Sequence, residues 1–116
     1  MNKWKYFADE EIIGLQDSIV EMLDLARGYA GFPIILTSPF RTPEHNAEVG
    51  GVPNSSHEKG IGVDIQKPIG EFEILKLIWA LGLAGFQRVL IYTKHIHADI
   101  DMEKPHPICV WMGESH

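Results

Sequence analysis

The chain has little with which to brace itself covalently: of 116 residues, only Cys109 is a cysteine. No intrachain disulfide can form, so stability cannot depend on an oxidising compartment. That thiol stands in an apolar run, where a small buried hydrophobe is expected rather than a nucleophile. Clustered positive charge is also missing. Ten Lys and Arg stand against 16 Asp and Glu, for a formal charge of -6. This excludes a nucleic-acid surface, whose affinity rests on phosphate neutralisation, and makes acidic partners equally unsuited. No apolar run is long enough to insert in a membrane, and Met1 to Glu10 contains no stretch of signal-peptide length before the acids begin. As written, the chain is expected to start in the cytoplasm, so that a target beyond the membrane would require release by something else, such as phage lysis. Repeats and linkers are absent too.

What is present suits one globular domain spanning residues 1–116. Hydrophobic residues make up 45% and charged residues 22%, and a chain of this length buries roughly two thirds of its unfolded surface in one core. From Asp9 to Tyr29 apolar residues recur at three- and four-residue steps, which predicts an amphipathic helix with Asp9, Glu10 and Glu11 at its positive end and Gly28 or Gly31 at its exit. Pro33 to Thr37 reads as a buried strand, and Pro43 to about Val49 as a short helix ended by Gly50-Gly51 and Pro53-Asn54. Ile61 to Gln66 alternates, with Ile61, Val63 and Ile65 on one face and Gly62, Asp64 and Gln66 on the other. Glu71 to Leu83 has helical spacing and stops at Gly85, with Trp79 expected in the core rather than on a groove wall. Strands follow at Arg88–Thr93, Ile96–Asp101 and, at an edge, Pro107–Met112. The sum is an α+β fold, two main helices against a mostly antiparallel sheet.

Chemistry-bearing residues gather in the polar, Gly- and Pro-rich stretch from Ser38 to Asp64, where a scaffold would present a working site. His57 and Asp64 lie seven residues apart around Lys59-Gly60, and a tight turn there brings imidazole and carboxylate together. In the strand after Lys94, the residues His95, His97, Asp99 and Asp101 share one face. His57, Asp64 and His97 make the ligand set of a catalytic zinc, which needs three protein ligands and an open position. Spacing alone gives more weight to the plainer alternative, in which His57 caps a loop, Asp64 accepts turn hydrogen bonds and His97 lies on the surface.

The longer pattern alters that balance. Thr37-Ser38-Pro39-Phe40-Arg41-Thr42-Pro43-Glu44-His45-Asn46, then Val49-Gly50-Gly51, then Asn54 to Ile65 with Ser55, His57, Gly60 and Asp64, closely resembles the zinc D-Ala-D-Ala carboxypeptidase family of peptidoglycan peptidases. That family shows Ser-x-His-x-x-Gly-x-Ala-x-Asp and a later strand with a third zinc ligand, which Ile96-His97-Ala98-Asp99-Ile100 resembles. The likeness covers nearly the whole chain and implies the hedgehog/DD-peptidase fold. It also implies that His57, Asp64 and His97 hold zinc, that Arg41 pairs with a substrate carboxylate or polarises the scissile carbonyl, and that Ser55 binds the peptide. His95 matches the first histidine of a His-x-His found in part of the family, beside the metal, suited to a proton or a developing oxyanion.

Two departures stand out. Gly62 replaces the family's alanine, a small-for-small change. Lys94 occupies a position where the family often carries Glu or Asp as general base, and a lysine cannot take a proton at neutral pH unless its pKa is strongly depressed. Acid/base work is then expected of His95. His45 and Asn46 are expected to brace the loop or to orient a ligand, Asp99 to hold a ligand imidazole, and Asp101 to be solvated at the sheet end. His106 and His116 match nothing. The resemblance implies a zinc metallopeptidase cleaving a peptide bond in bacterial cell-wall stem peptides, and the missing secretion signal and small size fit a phage or prophage lytic or virion-associated enzyme. The alternative is a non-catalytic zinc-binding or interaction module of the same fold.

Overall fold

The computed structural model describes residues 4–37 and 60–101, and the backbone of 109–112. The expected helix over Pro43–Val49 and its closing loop lie outside the described residues. Two helices, α1 (Asp17–Ala30) and α2 (Glu71–Ala84), pack on one side of a sheet formed by β1 (Gly62–Gln66), β2 (Arg88–Ile91), β3 (His95–Asp99) and β4 (Cys109–Met112). The spatial order is β1-β3-β2-β4. β3 is antiparallel to both neighbours, while β4 runs parallel to β2 at the edge. This is the expected α+β fold with a mostly antiparallel sheet.

The first expected helix divides. Asp9–Ile12 forms a single 3-10 turn, in which the Glu11 carboxylate accepts a hydrogen bond from the Ala8 amide at 3.1 Å. Gly14 then turns left-handed at φ 85°, and α1 starts only at Asp17. The break has a tertiary cause. Gly60, at φ 71°, crosses directly over it, accepting a hydrogen bond from the Gln16 amide at 3.0 Å. A Cβ on Gly60 would lie 2.5 Å from the Gly14 carbonyl oxygen. The glycine just ahead of β1 is therefore required twice over, by its dihedral and by this backbone contact.

Pro33–Thr37 is extended but forms less than a strand. Leu36 makes an isolated bridge to Ile65, the Thr37 amide donates to the Asp64 carbonyl at 2.9 Å, and the Gln66 amide donates to the Ile35 carbonyl at 2.8 Å. These contacts guard the outer edge of β1. On the helix side of the sheet, Val63, Ile65, Val89, Ile91, Ile96 and Ala98 join Ile19, Leu23, Leu77 and Leu81 in one core.

Trp79 is not in that core: it is 53% exposed and meets Tyr29 edge-on, with ring centroids 6.2 Å apart. α2 buries Leu77, Ala80, Leu81 and Ala84 instead. Apolar residues surround this helix on nearly every side, so periodicity does not mark the face that turns inward.

Candidate active site

The other face of the sheet is polar at its centre, and strand register explains how. In the β1–β3 ladder Asp64 lies opposite His97 and Gly62 opposite Asp99; in the β2–β3 ladder Arg88 lies opposite Asp99. Directly opposed residues of antiparallel strands project to the same side, within side-chain reach. Three strands thus bring Asp64, His97, Asp99 and Arg88 into one row.

The row is tightly connected. His97 Nδ1 lies 3.0 Å from Asp64 Oδ1, and its Nε2 lies 2.6 Å from Asp99 Oδ2. Arg88 Nη1 approaches the same Asp99 oxygen at 3.5 Å, while the Asp101 amide donates to Asp99 Oδ1 at 3.0 Å. Asp99 is fully buried and Asp101 only 2% exposed. The expected solvation of Asp101 is thereby corrected: its backbone folds back on the Asp99 carboxylate and carries its side chain inward.

His95 also faces Asp64, with Nε2 at 3.9 Å from Oδ1, and its ring stacks on Tyr92 at 4.7 Å and 20°. It is more open than His97, with 29% of its side chain exposed. Burial raises the Tyr92 pKa above its usual 10.0, helped by the Asp64 and Asp99 charges against an opposing effect of Arg88. Lys94 is exposed.

The imidazole of His97 sits between two carboxylates. Burial, the largest influence, disfavours its cation, but hydrogen bonds and charge from Asp64 and Asp99 outweigh it and raise the pKa above 6.5. Only the imidazolium can donate to both neighbours at once. A neutral His97 that keeps its N–H on Asp99, the nearer carboxylate, turns an Nδ1 lone pair toward Asp64. Two lone-pair donors 3.0 Å apart repel unless a proton or a cation stands between them. A neutral imidazole and a carboxylate are donors that zinc accepts, and a carboxylate on the far ring nitrogen is the support such a histidine usually has. Asp64 and His97 are thus two donors of a chemistry that fits the metal.

Asp64 and His97 are therefore brought together, with Asp99 at the other ring nitrogen and His95 alongside. His57, Arg41, Ser55, His45 and Asn46 lie outside the described residues, as do His106 and His116. Among the described residues no group of three His, Cys, Asp or Glu is arranged to hold a metal. Two participants escaped the sequence reading, Arg88 and Tyr92. Their signal was the alternation Arg88, Leu90, Tyr92 in an apolar strand, with a charged residue at a position that should be buried.

A family model described as Peptidase M15 matches residues 3–99. The chain belongs to the Peptidase M15 family. The matched span contains both helices, three of the strands and the Asp64–His97–Asp99–Arg88 row, and it stops where β3 ends. No curated protein matches this M15 chain. Among the described residues, no helix is long and apolar enough to cross a membrane.

Proposed function

We propose that this M15 chain is a zinc-dependent peptidase that hydrolyses a peptide bond in bacterial cell-wall stem peptides, by carboxypeptidase- or endopeptidase-type cleavage. The observation that carries the reading is the His97 imidazole, held by buried Asp99 on one nitrogen and facing Asp64 with the other. In this reading Asp64, His97 and His57 hold the metal. When bound by these residues, zinc would supply Lewis-acid polarisation of the scissile carbonyl and a lowered pKa for water.

The protein groups do the rest. Asp99, backed by Arg88, fixes the ring orientation of His97. His95, whose Nε2 lies near Asp64 and whose ring stacks on Tyr92, would move a proton at Nε2. Arg41 would pair with the substrate carboxylate or carbonyl, and Ser55 would bind the peptide backbone. Release by phage lysis or carriage on a virion would bring the enzyme to the wall.

A second reading, a non-catalytic zinc-binding module, draws on Lys94, which is exposed where a general base is often found. Native mass spectrometry of wild type and Asp64→Asn, followed by digestion of purified peptidoglycan, separates the two. The peptidase reading expects about one zinc per chain, weakened in the variant, and new peptide ends in the digest. Zinc binding without any cleavage selects the module. A wild type that takes up no zinc when supplied with it removes both.

A further inference from the structure

A cavity of about 370 Å³ opens between the segment ahead of α1, α1 itself and the extended residues 33–36. Sites for small molecules run from roughly 300 to 1,000 Å³. Buried Phe7 and Ile34 give this one an apolar wall, and Arg27 lines it together with Glu10 and Glu11 of the first turn. No member of the Asp64–His97 row is among the described residues that line it.

Arg27 is held in place while its donors stay unused. The Lys5 and Tyr6 amides donate to the Asp24 carboxylate at 3.3 and 2.8 Å, which clips the N-terminal segment to α1. The Tyr6 ring thereby meets Arg27, whose guanidinium carbon lies 4.7 Å from the ring centre. A guanidinium stacked on a ring spends its face and keeps its in-plane fork of N–H groups. Among the described residues the Arg27 side chain makes no hydrogen bond or ion pair, nor does that of Glu10, and Glu11 meets only the Ala8 amide. Opposite charges therefore line one cavity without touching. A bare anion would meet Arg27 but also two carboxylates, and a bare cation would meet the carboxylates but also Arg27. A ligand carrying both signs is complementary to the whole lining.

We propose that this cavity binds a small zwitterion with an apolar body, a free amino acid such as phenylalanine or a dipeptide of the same kind. Its carboxylate takes the Arg27 fork, its ammonium lies toward Glu10 and Glu11, and its side chain packs on Phe7 and Ile34. Amino acid and dipeptide share this chemistry and differ in the distance between their two charges. Nothing in this depends on what the polar row does.

Heteronuclear NMR titration of the whole chain tests the proposal, with phenylalanine and alanylphenylalanine as probes. N-acetylphenylalanine and phenylalanine amide, each with one charge removed, serve as controls. The expected result is saturable shift changes at the amides of Phe7, Arg27 and residues 34–36, with a dissociation constant of about 10 µM to 1 mM for a ligand of this size. The tighter of the two probes tells amino acid from dipeptide. Each control should bind at least about tenfold more weakly, as should both probes to Arg27→Gln and to Glu10→Gln, because a charge-assisted hydrogen bond is lost each time. Glu10 is exposed and Arg27 has no polar side-chain partner among the described residues, so both variants should fold, and their spectra away from the cavity check it. The proposal is overturned by a wild type that shows no saturable shift at millimolar probe, by controls that bind as tightly as the zwitterions, or by variants that keep full affinity. Shifts centred on Asp64 and His97 instead of the cavity overturn it as well.

Discussion

Along β3, Ile96 and Ala98 alternate with His97 and Asp99, and all four are buried. On the helix side, burial is a matter of volume: Ile96 and Ala98 touch apolar side chains and need only be filled well. On the polar side, burial is a matter of pairing. Asp99 is out of water because Arg88, His97 and the Asp101 amide all address its carboxylate. One strand thus carries two kinds of interior, and the polar kind depends far more on particular partners.

The largest expected effect falls on the polar side. Asp99→Ala leaves Arg88 and His97 buried without their shared carboxylate, and removing one member of a buried ion pair costs about 3–5 kcal/mol. Arg88 is already short of partners, its Nε and Nη1 making no hydrogen bond among the described residues. Urea unfolding of the variant should show that loss; a cost under about 1 kcal/mol would mean that the row is not coupled as described. Next comes Gly60→Ala, which forces a side chain into the left-handed region and against the Gly14 carbonyl, at about 2–3 kcal/mol by the same measurement. Ile96→Val, the control on the helix side, should cost only about 0.5–1.5 kcal/mol.

The smallest effect sharpens the comparison by pH. His97 has a raised pKa in the folded, metal-free protein. Its contribution is therefore complete below the unfolded value near 6.5 and is lost as the pH rises through the higher folded value. Unfolding midpoints measured with a chelator should fall across that window in wild type and flatten in His97→Gln. A midpoint that rises there would contradict the placement of His97 between two carboxylates. Ile96→Val should leave the pH profile unchanged.

Much of the polar row could be read from alternation. A period of two puts His95, His97 and Asp99 on one face of a strand and Asp64 on the polar face of another, whatever the rest of the fold does. Which residue faces which could not be read, because register arises from hydrogen bonding between strands distant in sequence. Asp101 was misjudged for that reason: at a strand end it looked solvated, and only its fold-back onto Asp99 shows otherwise. Trp79 was misjudged for a different one. In a helix apolar nearly all round, the inward face is chosen by the partner, here α1 and the sheet, and Ala80 and Ala84 permit a closer approach than an indole does.

The divided first helix belongs with these cases. Nothing local forbids a continuous helix from Asp9, since a glycine inside one costs only about 1 kcal/mol. The crossing of Gly60 over Gly14 makes the break there, and it ties the segment ahead of β1 to the start of α1.

By itself, the sequence determined the two main helices and the strands β1 to β4 as elements, the polar face of β1 and β3, the exclusion of disulfides and the family pattern, because each follows from local periodicity or residue chemistry. Only the tertiary structure decided that Arg88 stands behind Asp99, that Tyr92 lies on His95, which arc of α2 is buried and where α1 begins. These depend on contacts between segments far apart in the chain, and no window along the sequence contains both partners.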